Sequence, residues 1–536
     1  MTPEKKRGSE VSTEPKRPSP PRRRNLVIVL GDQLTRRSAA FDGFDLKLDV
    51  VMMAESSEEA EHVPQHRQRL VLFLSAMRHF EATLRAEGIC VDYTAMEASG
   101  HSSSLAGELI RRAKERQPEK LIVVQPGDYR VLSSLKAAAC SLELPLEVRP
   151  DRHFIDSIDE FSRYAGQRRT LRLEPYYRAR RKNLGLLMDK GRPIGGRWNY
   201  DADNRSALPK RNRVDIPSPL RFQPDRITQD VMSLVRVRFP GNPGQLEGFA
   251  HPVSADDAAR VLDDFVTHRL PHFGQYQDAM ALGQPHVFHS LLSTSLNLHL
   301  LDPRDVINAA LAAWRDRGAP LSSVEGFVRQ VLGWREFIRG VYWWRMPEYA
   351  ESNALGASLP LPEFMWTAET PMNCVRECVE QLKTHGYTHH IQRLMVLGLF
   401  AMLLGVNPRE VNRWHMAMSI DAVDWVSAPN VLGMSQYADG GIVASKPYCA
   451  SGSYINKMSN YCQGCRYNPA RAQGKESCPF TVLYWDFLDR HSVQFAGNAR
   501  MSLQLRNLER KRGDEIRAIR AQADVIKAYG GALSSG

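Results

Sequence analysis

The chain of 536 residues contains only eight cysteines, no run of 18 consecutive apolar residues and no apolar stretch at its N-terminus. Eight cysteines are too few for a disulfide scaffold, and this scarcity indicates a reducing compartment. Without a long apolar run we expect no membrane span, and without an apolar N-terminal core we expect no secretory signal peptide. The sequence therefore predicts a cytoplasmic protein with no membrane partner.

Hydrophobic residues (43%) and charged residues (24%) occur in the proportions of ordinary globular domains, which excludes wholesale disorder. The net charge of +11 is unevenly distributed along the chain. Residues 1–24 hold eight basic and three acidic residues with five prolines, whereas the rest of the chain carries only +6. We therefore expect residues 1–24 to form a disordered basic tail.

A second basic segment runs from Arg163 to Lys182, with eight basic residues, one acidic residue and three interleaved tyrosines, Tyr164, Tyr176 and Tyr177. Basic side chains bind phosphates, and aromatic rings stack on bases or sugars. The segment therefore predicts a contact with a polyanion such as DNA. A solvated surface face is the alternative interpretation.

Short apolar runs alternate with helical patterns between residues 25 and 150. The predicted strands are residues 26–30, 49–54, 90–94 and 121–124. This alternation predicts an α/β domain with a Rossmann-like, doubly wound parallel sheet. Ligands of such sheets bind beyond the carboxyl ends of the strands, where Gly31, Asp32, Glu55 and Gln125 fall. No GxGxxG motif follows the first strand, which argues against a conventional dinucleotide site.

The rest of the chain has a different character. Residues 151–225 are rich in Arg, Pro, Gly and Asn and predict a long connection between domains. Residues 226–500 are dominated by helical patterns, and residues 394–404 are apolar on all sides, which predicts a buried core helix. Residues 501–536 predict a charged amphipathic helix and a tail.

The clustered cysteines form the sharpest motif. Cys462 and Cys465 have the Cys-x2-Cys spacing, and Cys478 follows twelve residues later. This spacing aims two thiolates at one metal, and a fourth ligand is available from Cys449, Cys374 or Cys378. Zinc and a [4Fe–4S] cluster both accept four thiolates, so the motif alone leaves both open. A redox-active pair or unligated buried thiols are the non-metal alternatives.

Two further features carry possible chemistry. His389 and His390 are adjacent, and neighbouring residues on a helix point about 100° apart, so they form a poor chelating pair. One of them is a candidate proton donor in a cleft, with a helix cap and a core histidine as the alternative. Most of the nine tryptophans are expected in the core, although a subset is a candidate for electron transfer.

Together these motifs resemble the iron–sulfur bacterial cryptochromes and photolyases, the prokaryotic (6-4) photolyase group. The resemblance extends from about Leu26 to Arg490 and is carried by the stretches EGFVRQVLGWREFIRG, HHIQRLM, PNVLGMSQYADGG, YCASGSYINKMSNYCQGCRYNP and CPFTVLYWDF. It implies an antenna-binding α/β domain at 25–150, an inter-domain connection at 151–225 and an all-α, FAD-binding domain at 226–500.

The resemblance also implies cofactors and their ligands. A [4Fe–4S] cluster would be bound by Cys374, Cys462, Cys465 and Cys478. An antenna chromophore, 6,7-dimethyl-8-ribityllumazine in this group, would lie against Asp32, Gln33 and Glu55. FAD would be held in the helical domain by a phosphate-binding turn and by two flanking segments. Those implied FAD contacts are Ser290, Leu291, Leu292, Ser293, Glu325, Gln330, Arg335, Asp421 and Asn430.

The activity implied by the resemblance is light-driven repair of (6-4) pyrimidine dimers by electron transfer from reduced FAD. His389 and His390 would exchange a proton with the lesion, and Tyr448 and Tyr454 would pack around the extruded dinucleotide. The flavin would be photoreduced through Trp414 and the more distant Trp366. The partner would be UV-damaged DNA, and the protein would be a bacterial monomer that joins the nucleoid when bound to DNA.

Three residues depart from the pattern of this group: Leu399 replaces an expected Asn, His415 an expected Tyr, and Ser427 an expected acidic residue. Leu399 removes an amide donor, and Ser427 removes a carboxylate that influences the charge of the flavin. The departures favour, as an alternative, a cryptochrome-like blue-light photoreceptor with weak repair or none. A zinc-stapled nucleic-acid binder without photochemistry is the third hypothesis.

Overall fold

The computed structural model describes residues 23–168, 171–209 and 214–530. The predicted basic tail lies outside the described residues except for Arg23 and Arg24. The fold consists of an α/β portion followed by a mainly helical portion, and this order agrees with the predicted fold class. In the part of the chain that the structure describes, no helix is both long and apolar enough to cross a membrane.

A five-stranded parallel sheet forms the α/β portion, with the strand order β3-β2-β1-β4-β5. The central strand β1 is flanked on both sides, so that Asn25 lies opposite both Asp49 and Lys120. Its side chains are buried on both faces, because helices cover both sides of a doubly wound sheet. The strands are β1 Asn25–Ile28, β2 Asp49–Ala54, β3 Val91–Thr94, β4 Lys120–Val124 and β5 Leu146–Arg149.

Four α-helices accompany the sheet, and the connection and the helical portion follow. The α-helices in the described ranges are α1 Ser57–Glu61, α2 Arg67–Ala86, α3 Leu105–Arg116, α4 Tyr129–Ser141, α5 Ile158–Gly166, α6 Leu173–Leu184, α7 Arg226–Arg238, α8 Ala255–Asp264, α9 Leu270–Tyr276, α10 Ser293–Asn297, α11 Pro303–Arg317, α12 Leu321–Val328, α13 Glu336–Arg345, α14 Phe364–Thr367, α15 Asn373–His385, α16 His390–Gln392, α17 Leu399–Leu404, α18 Pro408–Met418, α19 Asp424–Ala428, α20 Gly452–Met458, α21 Pro479–Arg490, α22 Ser492–Phe495, α23 Ser502–Glu509 and α24 Gly513–Ala528. A two-stranded hairpin, β6 Met188–Asp189 with β7 Arg192–Pro193, lies in the connection.

Several helices of the helical portion are interrupted by wider π-helical turns, which are common at functional sites. They link α8 to α9, α12 to α13 and α16 to α17, and one continues α19. These turns are Phe265–Arg269, Arg329–Arg335, Arg393–Gly398 and Pro429–Ser435. Three of the four therefore fall in the stretches that the sequence relates to flavin binding or to the histidine pair.

The helical core is centred on α17. Every residue from Leu394 to Leu404 is buried, in agreement with the predicted core helix. The α/β portion is fastened to this core through the beginning of α2. The His66 backbone N–H donates to the Ala417 carbonyl at 2.7 Å, and the Arg69 guanidinium donates to the Met416 carbonyl at 2.8 Å.

The three tyrosines of the basic segment are buried, so the prediction that they stack on bases was wrong. Tyr176 and Tyr177 are fully enclosed and Tyr164 is nearly so, with Tyr164 and Tyr176 packed edge to face at 5.2 Å between ring centroids. The segment forms α5 and α6, whose apolar face points into the protein. Any contact of this segment with DNA therefore depends on its charged side chains.

Arg181 of this segment is also buried, at 1% exposure. Its guanidinium donates to the carbonyls of Leu186, Leu187 and Trp198 at 3.3, 2.6 and 2.9 Å. It also lies over the Tyr177 ring, 5.5 Å from the centroid. This charge therefore fastens α6 to the hairpin that follows and is not available to a phosphate.

We predict that Arg181→Met destabilises the protein by about 3 kcal/mol, because buried carbonyls lose their donors. The matched control is Arg178→Met on the same helix, which removes a half-exposed ion pair with Glu174 and costs less than about 1 kcal/mol. Guanidinium unfolding followed by circular dichroism measures both changes. Equal losses in the two variants would contradict the structural role of Arg181.

Candidate functional site

A cavity of about 770 Å³ lies between the carboxyl ends of the strands and the helical portion. Gly31, Asp32 and Glu55 line it from the sheet side, at the edge where a doubly wound sheet binds ligands. The opposite wall comes from α18 and α19, including Met416 and Asp424. The volume is within the range of small-molecule sites, and the mixed apolar and carboxylate lining suits a polar, planar ligand.

Asp32 is the carboxylate of this cavity with the most perturbed protonation. Burial, followed by repulsion from Asp151, raises the pKa of Asp32 to about 7. Burial and repulsion from Asp128 likewise raise the pKa of Asp424 to about 6. Both groups can therefore donate a hydrogen bond as well as accept one near neutral pH.

The other two predicted antenna contacts are already engaged by the protein. The carboxylate oxygens of Glu55 accept from Arg78 Nε and Nη2 at 2.7 and 2.9 Å, from the Tyr93 hydroxyl at 2.6 Å and from the Met96 N–H at 2.8 Å. Gln33 is buried and donates to the Gln125 carbonyl at 2.9 Å. The structure thus leaves Asp32 as the predicted contact whose side chain is free to bind a ligand.

The predicted histidine pair lies inside the helical portion. The ring of His389 stacks on that of His289, with 4.3 Å between centroids and 13° between planes. His389 is 1% exposed, and neither of its ring nitrogens has a hydrogen-bond partner among the described residues. Burial, followed by the charge of neighbouring His289, keeps the pKa of His389 well below its usual value.

His390 has a different environment from His389. Its side chain is exposed, yet burial and the Arg393 guanidinium lower its pKa to about 4. The ring is therefore accessible to solvent although protein atoms and the Arg393 charge surround it. We call this region, defined by His289, His389, His390 and Arg393, the histidine hollow.

Two of the predicted FAD residues meet at this hollow. Asp421 accepts from Arg393 Nη2 at 2.9 Å and is also hydrogen-bonded to Ser293, and these contacts keep the pKa of Asp421 low despite burial. Asn297 of α10 donates to the Asp421 carbonyl at 2.8 Å. The turn before α10 includes Leu291 with φ of +61°, a conformation that non-glycine residues rarely adopt outside functional or tightly packed turns.

Four other predicted FAD residues lie on or beside the π-helical turns. Glu325 is fully buried and accepts from the Tyr200 N–H at 3.2 Å, while its Oε1 has no hydrogen-bond partner within the described ranges. Arg335 covers the ring of Phe154, 4.1 Å from the centroid. Its Nε and Nη2 are buried and, in the part of the chain that the structure covers, also lack partners. Gln330 and Asn430 are half-buried and donate to the carbonyls of Gly326 and Val426, which lie in the helices that precede their turns.

Buried polar atoms without partners are uncommon in folded proteins and call for a partner such as water, an ion or a bound ligand. They occur here in the predicted FAD contacts Glu325 and Arg335 and in His389 of the hollow. These donors and acceptors, with the Ser290–Ser293 turn, fit a large polar cofactor such as FAD. Leu292 is buried, and the Leu292 N–H is directed to Ser290 Oγ at 3.4 Å, so the turn is partly closed on itself.

The aromatic residues that the resemblance relates to electron transfer and to the lesion also lie in the helical portion. Trp414 is buried, and its indole N–H donates to the Met365 carbonyl at 3.0 Å, beside half-buried Trp366. Tyr448 and Tyr454 are half-buried, and both lie within the electrostatic influence of Arg205. Burial raises the pKa of Tyr454 to about 12, so its hydroxyl remains protonated and can donate a hydrogen bond.

The structure shows the environment of each of the three residues that depart from the group pattern. Leu399 is fully buried in α17. His415 packs against Trp414 with 5.3 Å between ring centroids, and burial together with Arg393 lowers its pKa to about 3. Ser427 donates to Asn412 Oδ1 at 2.8 Å. Neutral His415 therefore stands beside the buried tryptophan where an oxidisable tyrosine was expected.

The four predicted cluster ligands line one small cavity. Cys374 comes from α15, Cys462 and Cys465 from the loop after α20, and Cys478 from the residue before α21. Gly452 completes the wall, where an added Cβ would lie 2.7 Å from Cys478 Sγ. Within the described ranges, no group of three or more His, Cys, Asp or Glu side chains has the arrangement that holds a single metal ion.

The electrostatics of this cavity favour neutral thiols unless positive charge is present. Burial, followed by the neighbouring thiols Cys478 and Cys465, raises the pKa of Cys462 to about 12. The pKa of Cys374 is raised by the same causes. Four desolvated thiols around one cavity fit an iron–sulfur centre, whose positive metal ions stabilise the thiolates. Cys378 and Cys449 lie outside this lining.

Some residues of the site were not singled out from the sequence. Arg393 belongs to the quoted HHIQRLM stretch, yet only its ion pair with Asp421, 28 positions away, reveals that it charges the hollow. Asp424 lies in the Asp421–Asn430 segment that the resemblance relates to FAD, and nothing in the sequence connects it with the sheet-edge cavity that it lines. Both contacts are long-range, and neither has a local sequence signal.

We predict that Asp32→Asn makes the ligand-free protein less sensitive to pH. A carboxyl whose pKa is raised by folding destabilises the folded state as pH rises from about 4 to about 7, because the unfolded chain ionises first. The difference in unfolding free energy between the variant and the native chain should therefore be more favourable to the variant at pH 8 than at pH 5. Each tenfold change in the proton affinity of Asp32 on folding corresponds to about 1.4 kcal/mol.

Urea unfolding at the two pH values measures this difference, with exposed Asp316→Asn on α11 as the control. Parallel pH profiles of Asp32→Asn and the native chain would contradict the assignment.

Comparison with known proteins identifies relatives of this architecture. A family model described as deoxyribodipyrimidine photo-lyase-related protein matches residues 27–251. The (6-4) photolyase of Agrobacterium fabrum is 43% identical over 498 residues, which cover 93% of this chain and 98% of that protein. An uncharacterized protein of Acanthamoeba polyphaga mimivirus, R855, is 29% identical over 123 residues, which are 23% of this chain and 93% of that protein.

Solved structures share the fold. A bacterial class III photolyase from Agrobacterium tumefaciens aligns with a TM-score of 0.54 and 16% identity over 97% of this chain and 100% of its own. The cryptochrome of Synechocystis sp. PCC6803 aligns with a TM-score of 0.53 and 13% identity over 88% of this chain and 90% of its own. These matches confirm the predicted architecture. The 43% identity over nearly the whole length of the Agrobacterium fabrum protein goes further: this chain belongs to the photolyase family of that (6-4) photolyase.

Proposed function

We propose that this protein is a light-driven (6-4) photolyase, which restores (6-4) pyrimidine–pyrimidone photoproducts in UV-damaged DNA. The proposal is supported by the identity with a (6-4) photolyase and, in the structure, by one observation above all. The exposed ring of His390 directly follows buried His389, whose ring nitrogens have no hydrogen-bond partner among the described residues. A proton-exchanging group that a flipped nucleotide can reach is what lesion repair requires.

The FAD site would be formed by Glu325, Arg335, Asp421 and the Ser290–Ser293 turn, with Gln330 and Asn430 at its rim. In its reduced form FAD supplies a light-excited electron donor to the lesion. Arg335 and Arg393 place positive charge where an anionic cofactor binds, and the Asp421 carboxylate orients Arg393. The π-helical turns that carry several of these residues widen the helices locally.

The histidine pair would hold and move the proton. Burial favours the neutral form of His390 in the free protein, with its pKa at about 4. DNA phosphates and an anionic cofactor would favour the protonated form, because opposite charges raise the pKa of an imidazole. His390 would then donate a proton to the oxygen substituent of the lesion and recover it afterwards. Buried His389 precedes His390, and the His389 ring stacks on that of half-buried His289.

Lesion recognition would involve Tyr448 and Tyr454, whose neutral hydroxyls lie near the charge of Arg205. Extruding a nucleotide costs a few kcal/mol of stacking and costs least for a damaged pair, which assists selection of the lesion. Phosphate contacts would come from exposed basic side chains, among them Lys182 of α6. A monomeric protein that joins the bacterial nucleoid when bound to DNA remains a prediction.

Photoreduction would draw an electron from Trp366 through Trp414 to the flavin. The Trp414 indole is hydrogen-bonded to the residue that precedes Trp366, so the two segments are in direct contact. His415 would not extend this path, because histidine is harder to oxidise than tyrosine.

The cavity at the sheet edge would bind the antenna chromophore, which we propose to be 6,7-dimethyl-8-ribityllumazine. Asp32 and Asp424, partly protonated near neutral pH, would accept from and donate to the hydroxyls and ring atoms of such a ligand. Glu55 would contribute by fixing Arg78 and Tyr93 at the cavity wall, and Gln33 by fixing the loop after β4.

The cryptochrome-like photoreceptor remains the second candidate function. Leu399 is fully buried where the group has an amide, and Ser427 is bonded to Asn412 where the group has a carboxylate. Both changes remove polar groups that tune the flavin for repair. A photoreceptor would keep the cofactor and the light response without restoring bases.

We predict that the reduced protein under blue light restores thymines in an oligonucleotide that carries one (6-4) photoproduct, as measured by chromatography. His390→Ala should slow repair by about a hundredfold or more, because it removes the proton donor. The control is His268→Ala, which changes an exposed histidine on the π-helical turn before α9. No restored base with native protein would contradict the repair function and leave the photoreceptor.

We also propose that Cys374, Cys462, Cys465 and Cys478 bind a [4Fe–4S] cluster that fastens the loop after α20 to α15. Cys465→Ser should then lower the iron content and the yield of folded protein, because removing a ligand of a structural metal centre removes folding free energy. Cys449→Ser is the control, since Cys449 is half-buried and outside the cavity. Full iron content in purified Cys465→Ser protein would refute the ligand assignment.

A further inference from the structure

A fully buried hydrogen-bond network connects the thiol-lined cavity with the histidine hollow. Its centre is the side-chain amide of Gln392, which has no solvent exposure. Its Nε2 donates to the Tyr461 hydroxyl at 3.0 Å and to Gln381 Oε1 at 2.8 Å. Its Oε1 accepts from the His389 backbone N–H at 3.0 Å and from Gln381 Nε2 at 3.2 Å. All four hydrogen-bonding positions of the amide are therefore filled.

Tyr461 forms the end of the network at the thiols. It directly precedes Cys462, is 1% exposed and lines the same cavity as the four proposed ligands. Its hydroxyl is also hydrogen-bonded to Cys378. The loop that carries Cys462 and Cys465 therefore cannot shift without moving the hydroxyl that Gln392 contacts.

The other end of the network fixes the chain where it enters α16. Gln392 holds the backbone N–H of His389, the residue that immediately precedes this helix. Gln381 Nε2 adds contacts to the Tyr387 carbonyl at 2.9 Å and the Pro285 carbonyl at 3.1 Å. The carbonyls of Pro285 and Tyr387 and the N–H of His389 are thus held by one pair of amides.

We infer that Tyr461 and Gln392 are positioning residues for the histidine pair. They couple the position of the loop at the thiol-lined cavity to the position of the two histidines. The inference rests on the proposed repair function for its effect on rate, and on the geometry alone for its effect on the histidines. A displaced loop at the thiols would tilt the entry into α16 and move the rings of His389 and His390. Misplacement of reacting groups by about 1 Å can cost a hundredfold in rate.

The chain provides a closely matched control. Tyr467 is also buried, at 3% exposure, and lines the same thiol cavity. Its hydroxyl, however, has no hydrogen-bond partner in the part of the chain that the structure describes. Tyr461→Phe and Tyr467→Phe each delete one buried hydroxyl beside the cysteines, but only the first deletion breaks the network.

The test compares these variants in two readouts on the holoprotein. The first is the spectrum of ¹³C-labelled histidines, in which the signals of His389 and His390 are assigned with single His→Gln variants. The second is the repair rate of bound lesion and its pH profile. Tyr461→Phe should move both histidine signals and slow repair about tenfold, with KM for the lesion within about twofold of the native value. Tyr467→Phe should match the native protein in both readouts.

Unchanged histidine signals and repair rate in Tyr461→Phe would overturn the inference. If Tyr461→Phe loses iron, the Gln392→Leu variant replaces it in the test, because it breaks the network at a residue outside the thiol cavity. Native histidine signals in Gln392→Leu would also overturn the inference. The experiments distinguish a failure of the repair function from a failure of the positioning role. If native protein repairs no lesion while Tyr461→Phe still moves the histidine signals, the repair function is refuted and the positioning role is supported.

Discussion

Burial of His389 and His415 beside the ion pair of Arg393 with Asp421 is the physical condition on which the rest of the site depends. Desolvation keeps His389, His390 and neighbouring His415 neutral and makes the charge of Arg393 effective over longer distances. A neutral imidazole responds strongly to a newly bound anion, so cofactor and DNA can switch its protonation. Helix α17, which follows the Arg393–Gly398 turn, is buried on every side and belongs to the core that maintains this environment.

Helix α18 divides the two ligand regions of the protein. Arg409, Asn412, Arg413 and Met416 of this helix line the cavity at the sheet edge. Trp414 and His415 point the other way, into the helical core. One short helix therefore separates a proposed light-collecting site from a proposed electron-transfer site, and the hydrogen bonds of His66 and Arg69 to α18 keep the sheet at a fixed distance from it.

The sequence predicts the architecture well, because the alternation of strands and helices and the apolar 394–404 helix are local patterns. Cys462, Cys465 and Cys478 form a local motif, whereas Cys374 was one of three candidates for the fourth ligand and only the family resemblance selected it, since 88 positions separate it from Cys462. The mistaken role for Tyr176 and Tyr177 has a physical origin: neighbouring tyrosines and arginines do not reveal which helix face is buried. Glu55 lies at the predicted edge, but its oxygens are occupied by Arg78 and Tyr93, partners supplied by tertiary packing.

The central claim is that the helical portion binds a flavin, and cofactor stoichiometry tests it most directly. Purified protein would be denatured, and the released flavin and the iron would be quantified against protein, after an absorption spectrum of the native state. The account predicts one FAD per chain, with flavin absorption at about 450 nm, and about four irons per chain. Folded protein without flavin would contradict it.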